Sequence, residues 1–425
     1  MSNSYYYKIV HNQFDNQALI FKLFVFIICP FAAFLLSLKE AANRSSYVIY
    51  FLFGIIFCWH MNPTGVERYD DLVGIMQRVI NSNYTWSDIY CQITTFFSFS
   101  DDSPKELYEN VLIFISKSFS KNPHLFFAIA SVPFLIFQLK SLRQITSDRK
   151  FNGNIYCLII LALFVFPRDI ITVQNPRFTT ALWIAVYATI RFFQSERLDY
   201  KYYFLILITP LIHSGFWFYT LIFSVGIYLK RFPKLSLILL YVSIPFSYLS
   251  YELLSQFNYS LLPSSIGLWI ETYMDEESFK KFVMHEGGTG FFWVEQSMTI
   301  IRKTIYLLIP LYLWKYRNEY ISQKNGIEKL IQYYLYYYAV VNFIQFIPVL
   351  GERFYWIVQI LSIYLWFKVI YPRHKNILLL ILFSCSYFIL RRYFYGGAVS
   401  SSVPLDIFYM PLPYLIIDFW NITTI

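Results

Sequence analysis

The sequence predicts an all-α polytopic membrane protein of about 10–12 transmembrane helices, including one broken or re-entrant pair. Three observations predict it. The chain of 425 residues is 57% hydrophobic and only 14% charged, with a mean hydropathy of +0.45. Near-uncharged apolar runs recur along its whole length, and a hydrocarbon core about 30 Å thick needs about 20 such residues at about 1.5 Å rise each. The lysines and arginines collect in short stretches between those runs, as an orientation signal does, rather than along one face. The net charge of +9 therefore does not imply a nucleic-acid partner. A β-barrel would show short alternating segments instead. Residues 1–425 read as a single integral membrane domain whose constant partner is the lipid bilayer.

The spans follow in chain order. Residues 1–17 are polar and aromatic, and the first apolar run, Ala18–Leu38, is too long for the core of a cleavable signal with a small-residue cleavage site, so it reads as a span. Tyr47–His60 comes next, then Pro123–Leu139, Ile155–Pro167 and Phe178–Phe193. After the pair discussed below come Lys234–Leu254, Met298–Trp314, Leu330–Pro348, Phe354–Tyr371 and Asn376–Phe394. The connection holding Lys140, Arg143, Arg149 and Lys150 is short and strongly basic, which places it in the cytoplasm. The same reasoning covers Arg191, Arg197 and Lys201; Lys230, Arg231 and Lys234; Lys315, Arg317, Lys324 and Lys329; and Arg373 with Lys375. Counting outward from these, the long segments 61–122 and 255–297 lie outside. Both are acidic, the first with Glu67, Asp70, Asp71, Asp88, Asp101, Asp102, Glu106 and Glu109.

Tyr202–Leu229 is bounded by cytoplasmic charge at both ends, so it crosses twice or not at all, and it is short for two full spans. Two half-helices turning at Pro210, His213, Ser214 and Gly215 solve this, since broken backbone is tolerated where protein or a water-filled cavity surrounds it. A plain long helix with one inward histidine is the alternative. Helical spacing of apolar residues at 71–80 and 107–119 predicts interfacial helices in the first outer segment. Pro404–Trp420, interrupted by Pro411 and Pro413, reads as an interfacial cap, and the tyrosine-rich run Tyr333–Tyr338 as a membrane-interface belt.

Ionisable residues inside such a chain are where its chemistry belongs. With this topology Arg68, Arg168, Arg177, Arg302, Arg353, Arg391 and Arg392 fall near outward ends of spans, where the orientation rule disfavours them. Arginine's rigid donor fork matches phosphate oxygens, so a phosphate or pyrophosphate at the outer interface is the ligand they suggest. Arg391 and Arg392, at the end of their run, read instead as headgroup contacts. In Gln174-Asn175-Pro176-Arg177 the asparagine can cap a helix and the proline can take its first position. That sets Arg177 in the first turn, where free N–H groups also favour an anion. Asp70 and Glu352 are carboxylates placed to act as a base, and His213 is the one imidazole in the broken segment. Glu352 precedes Arg353 directly, and adjacent helical side chains diverge, so those two do not pair.

The five cysteines, Cys29, Cys58, Cys91, Cys157 and Cys385, have no close spacing and read as buried inert thiols. There is no Walker sequence, GxSxG elbow, HExxH or dinucleotide fingerprint, so neither a cofactor nor a metal is expected.

Gln174-Asn175-Pro176-Arg177-Phe178-Thr179-Thr180-Ala181, a basic connection and then Leu211-Ile212-His213-Ser214-Gly215-Phe216 resemble the arginine and later histidine motifs of EpsG-like and Wzy-type bacterial polysaccharide polymerases. Tyr69-Asp70 resembles the early outer-loop aspartate of that family, and Glu352-Arg353-Phe354-Tyr355 its late arginine-aromatic element. The order of the motifs covers roughly the whole chain. The resemblance implies a fold like that of GT-C-type glycosyltransferases. It also implies polymerisation of undecaprenyl-pyrophosphate-linked oligosaccharide repeats into O-antigen or capsular or exopolysaccharide, at the periplasmic face of a bacterial inner membrane. A chain-length regulator protein would be a further partner. Arg177 and Arg353, with Arg168 and Arg68, would hold the pyrophosphate. His213 would position donor or acceptor, Asp70 or Glu352 would assist deprotonation, and Trp59, Trp293 and Tyr355 would offer faces to sugars. A repeat-unit flippase, or a glycosyltransferase or ligase using the same donors, remains as the alternative.

Overall fold

In the computed structural model, residues 2–61, 70–96, 106–120, 122–146, 154–195, 199–229, 231–248, 292–321, 326–345, 347–371, 373–395 and 403–422 are described. Helices and short helical turns are the only regular elements among them. In chain order the α-helices are α1 (Ser2–Ile28), α2 (Pro30–Lys39), α3 (Arg44–Trp59), α4 (Asp70–Asn81), α5 (Trp86–Phe96), α6 (Tyr108–Phe119), α7 (Pro123–Thr146), α8 (Ile155–Val165), α9 (Pro176–Gln194), α10 (Tyr200–Ile212), α11 (Phe216–Leu229), α12 (Pro233–Ser243), α13 (Phe292–Ile321), α14 (Ile327–Ile344), α15 (Pro348–Leu365), α16 (Ile377–Leu390) and α17 (Leu412–Ile422). Among the described residues, three helical stretches are long and apolar enough to cross a membrane: Pro123–Thr146, Ile155–Thr172 and Leu350–Ile370. These apolar helices make the chain a membrane protein by composition.

Prolines and capping residues set several boundaries. Pro30 opens α2, Pro233 opens α12 and Pro348 opens α15, each at a position whose N–H would be unused. Asn154 caps α8 by accepting from the Tyr156 amide at 2.9 Å. The helical spacing read at 71–80 and 107–119 corresponds to α4 and α6. Within 202–229 the chain forms two helices, α10 and α11, separated by His213–Gly215, in place of one plain long helix.

The described residues fall into two compact units, Met1–Tyr187 with Leu207–Phe216 and Leu390–Ile425, and Ala188–Ile206 with Trp217–Ile389. In the first unit α3 packs along α7, α1 and α2 lie against α3, α6 covers α7, and α17 rests on α1. Lys22, buried in the apolar α1, is matched there by Glu40 at 2.8 Å and by the hydroxyls of Ser45 and Ser46. In the second unit α14 is central, packed by α12, α13 and α15.

The tyrosines of Tyr333–Tyr338 form the core of that unit rather than an interface belt, which corrects the sequence reading. Their hydroxyls find partners inside. Tyr333 donates to Tyr219 at 3.4 Å and Tyr337 to the Phe354 carbonyl at 3.2 Å, while the hydroxyls of Tyr334 and Ser362 bond at 2.5 Å. A tyrosine run serves core and interface equally well, because each ring carries one polar atom that either water or protein can satisfy. A second correction concerns the thiols: Cys58, Cys157 and Cys385 are buried, but Cys91 is exposed on α5.

Gly326 caps α14 with φ of +72°, and a Cβ there would overlap the Phe193 carbonyl oxygen. Gly326→Ala is expected to destabilise the fold by about 1–3 kcal/mol or more, combining left-handed strain with the clash. Thermal unfolding of the purified variant against wild type measures it.

Candidate functional site

The start of α9 has the predicted form. Pro176 is its first residue, and Asn175 accepts the Phe178 amide at 3.2 Å through its side chain. Arg177 thus projects from the first turn, where a cation opposes the helix dipole and calls for an anion. That anion is supplied by the protein. Arg177 Nη1 lies 2.8 Å from Glu106 Oε2, and its Nε lies 3.0 Å from Glu109 Oε2. The second contact is misaligned for a hydrogen bond and acts through charge alone. Glu109 extends the chain by accepting from Arg78 Nε of α4 at 2.6 Å.

Glu106 carries a second set of bonds. Its Oε1 accepts from the Ser214 amide at 3.1 Å and from the Ser214 hydroxyl at 3.2 Å. The next residue, Leu107, donates its amide to the carbonyl of Leu211 at 3.2 Å, satisfying one of the open carbonyls at the end of α10. One carboxylate therefore ties the first turn of α9 to the break between α10 and α11. Tyr108, hydrogen-bonded to Thr180 at 3.3 Å, adds a third tie between α6 and α9. The four side chains differ in exposure: 47% for Arg78, 6% for Glu109, 26% for Arg177 and 12% for Glu106. Their formal charges cancel. The Nη2 group of Arg177 has no partner among the described residues, so donors remain for a ligand.

His213 is buried at the break itself. Its Nδ1 lies 3.1 Å from the Gly215 amide, which can only donate, so Nδ1 is the unprotonated nitrogen and Nε2 holds the proton of the neutral ring. Phe178 sits between the candidates. His213 meets its ring edge-on at 5.3 Å and Phe216 at 5.5 Å, while the Arg168 guanidinium lies over it at 5.1 Å. The backbone of Arg168 is itself pinned, its carbonyl accepting from Trp183 at 2.9 Å and from Gln138 at 3.1 Å. Next in sequence, Asp169 caps the following turn and accepts from the Tyr393 hydroxyl, with Arg392 at 3.7 Å. Arg392, read as a headgroup contact, also donates to the Phe166 carbonyl at 2.6 Å, an internal tie that corrects that reading.

The structure thus brings Arg168, Arg177 and His213 together in the first unit, around Phe178. Trp59 belongs to the same unit, at the end of α3. Asp70 is the first residue of α4. Arg68 lies outside the described residues, and so does the side chain of Trp293. Glu352, Arg353 and Tyr355 are in the first two turns of α15, in the second unit, where Tyr355 is packed against Tyr306 and Tyr338. Sequence reasoning missed Glu106, Glu109 and Arg78. Two carboxylates three residues apart at the start of a helix share a face, and that spacing was the available signal. No set of three or more His, Cys, Asp or Glu among the described residues is arranged to hold a metal ion.

Compared with known proteins, the chain matches neither a curated protein nor a solved structure. A family model described as the EpsG family matches residues 72–405, a stretch that begins just after Asp70 and contains Glu106, Arg177, His213, Glu352 and Arg353. Covering most of the chain, that match shows that the protein belongs to the EpsG family, a Wzy-like polymerase family.

Proposed function

We propose that this chain joins undecaprenyl-pyrophosphate-linked oligosaccharide repeats into a surface polysaccharide, working from the outer face of a bacterial inner membrane as a multi-pass protein. The observation that supports this most is the Arg177–Glu106–Ser214 constellation, a guanidinium at a helix N-terminus beside a helix break, inside the residues that the EpsG family model matches. In this reading a hydroxyl of the acceptor repeat attacks the anomeric carbon of the donor glycan. The bond from that carbon to the lipid pyrophosphate breaks, and the pyrophosphate departs with the bonding electrons. Its growing charge needs fixed donors more than it needs a metal, and Arg177, Arg168 and Arg353 are the groups we assign to it, together with Arg68. The acceptor proton goes to a carboxylate, Asp70 or Glu352, and His213 orients one of the sugars through its Nε2–H. Trp59 offers an indole face to a sugar ring.

The broken pair α10–α11 is re-entrant in this reading, entering and leaving on the cytoplasmic side, which sets His213 and Ser214 facing a cavity in the outer half of the bilayer.

The glycan ladder of a deletion strain tests the assignment. A single-repeat band is the expected result. Absence of any surface repeat would favour a flippase or a ligase, and an unchanged ladder would remove the chain from polysaccharide assembly. In the complemented strain, Arg353→Ala is expected to leave the protein inserted and to shorten the glycan to a few repeats, a loss of roughly 100-fold in polymerisation rate if one charged donor is lost from the leaving group.

A further inference from the structure

Two cations in the second unit have no counterpart in the site described above. Arg302 and Lys303 follow one another on α13, inside the apolar run Met298–Trp314, where a charged side chain is costly unless matched. Neither makes an ion pair among the described residues. Arg302 makes no hydrogen bond there either, and its Nε is buried without an acceptor. Its guanidinium lies 3.7 Å over the ring of Phe388 on α16, a contact that holds the group in place without using an N–H donor. Lys303 donates to the Ser247 carbonyl at 3.0 Å, which uses one of its three donors. Glu352 is the carboxylate among the described residues that acts on Lys303, through charge rather than contact.

A third donor stands beside them. Tyr355 is 2% exposed, its hydroxyl makes no well-aligned hydrogen bond among the described residues, its polar neighbour being the hydroxyl of Tyr338, and it feels the Arg302 charge. Tyr306 and Cys385, a buried pair 3.8 Å apart, lie on the same side and also feel the Arg302 charge. Among the described residues, one guanidinium and one ammonium with a single carboxylate acting on them, together with a hydroxyl that has a proton to give, make a site with more positive charge and more donors than acceptors. Core packing does not require that combination; a ligand with several acceptor oxygens does. On the same helix Ile300 and Leu308 are exposed apolar residues, so the surroundings suit a ligand whose anion carries an apolar tail.

We propose that Arg302, Lys303 and the Tyr355 hydroxyl form a second anion site, which takes the diphosphate of a polyprenyl-linked repeat. The identity of that lipid rests on the polymerase reading; the existence of the anion site does not. Joining two lipid-linked repeats brings two diphosphates to one protein, and one arginine cluster cannot serve both at once.

The test counts bound lipid. Native mass spectrometry of the detergent-solubilised full chain with undecaprenyl diphosphate is expected to show two bound molecules for wild type and one for Arg302→Met/Lys303→Met, with affinity for the second at least tenfold weaker. Two molecules bound by the double variant with unchanged affinity would overturn the site. Inorganic pyrophosphate binding as tightly as the polyprenyl diphosphate would overturn the role of the tail, and phosphatidylglycerol vesicles competing equally would reassign the site to bulk lipid. The single variant Arg302→Met guards against misfolding. It removes an unmatched charge while keeping a side chain on Phe388, so the ligand-free melting temperature is expected to rise by about 2 °C as the lipid-induced shift falls. A purely structural arginine would lower the melting temperature. An unchanged deletion-strain ladder overturns the polymerase reading and leaves the anion site standing, to be read with inorganic pyrophosphate; pyrophosphate and lipid binding that both ignore the double variant overturn the site and leave the ladder as it is.

Discussion

Arg177→Ala is expected to collapse long surface glycan to a single-repeat product while the protein remains in the membrane. Loss of one preorganised donor from a developing anion costs about 10²–10³ in rate, enough to stop a polymer at its first linkage. The same substitution leaves Glu106 and Glu109 without their shared counter-charge, and a carboxylate deprived of a buried partner costs up to about 3–5 kcal/mol of stability. Two further variants separate these effects. Arg177→Lys keeps the charge between the carboxylates but removes the planar fork, so near-normal melting with impaired polymerisation is the expected pattern. Arg78→Ala touches only Glu109 from an exposed position and is expected to cost less than about 1 kcal/mol with a normal ladder. A full-length ladder in Arg177→Ala, with protein level matched by immunoblot, would end the assignment of this residue.

Glu106→Ala is the second large effect. It removes in one step the ion pair to Arg177 and both bonds to Ser214, freeing the first turn of α9 from the α10–α11 break. A loss of about 2–4 kcal/mol is expected, together with a shortened glycan. Glu106→Gln retains an acceptor for Ser214 and loses only the charge, so it should fall between wild type and alanine in both measurements. Combining Glu106→Ala with Arg177→Ala should be clearly less than additive, with a coupling of about 1–3 kcal/mol in thermal or denaturant unfolding. Additive losses would mean that the 2.8 Å contact carries no weight.

The legible parts of this site were local ones. Asn175-Pro176-Arg177 announces a capped helix start by residue type alone, and the break at His213–Gly215 followed from a segment too short to cross twice between two basic connections. The partners of Arg177 were not legible, because Glu106 lies 71 residues away in sequence and an acidic residue in an acidic segment looks like every other one. The tie to Ser214 spans 108 residues. Such pairings are decided by how helices stack, which periodicity does not encode. The tyrosine run failed for a different reason: ring amphipathicity fits two surroundings, and only the positions of Tyr219, Ser362 and the Phe354 carbonyl select one.

Those tyrosines also act as an index. A helix packed by aliphatic side chains alone can turn or slide against its neighbour by small repacking steps, since dispersion contacts are nearly direction-free. Here α14 grips α15 at two separate points, Tyr334 on Ser362 and Tyr337 on the carbonyl of Phe354. A rotation of α15 by one residue, about 100°, would break both bonds at once and strand two hydroxyls away from water. Arg353 is the residue immediately before that gripped carbonyl. Its azimuth about α15 is therefore keyed to a single setting by a tyrosine on another helix.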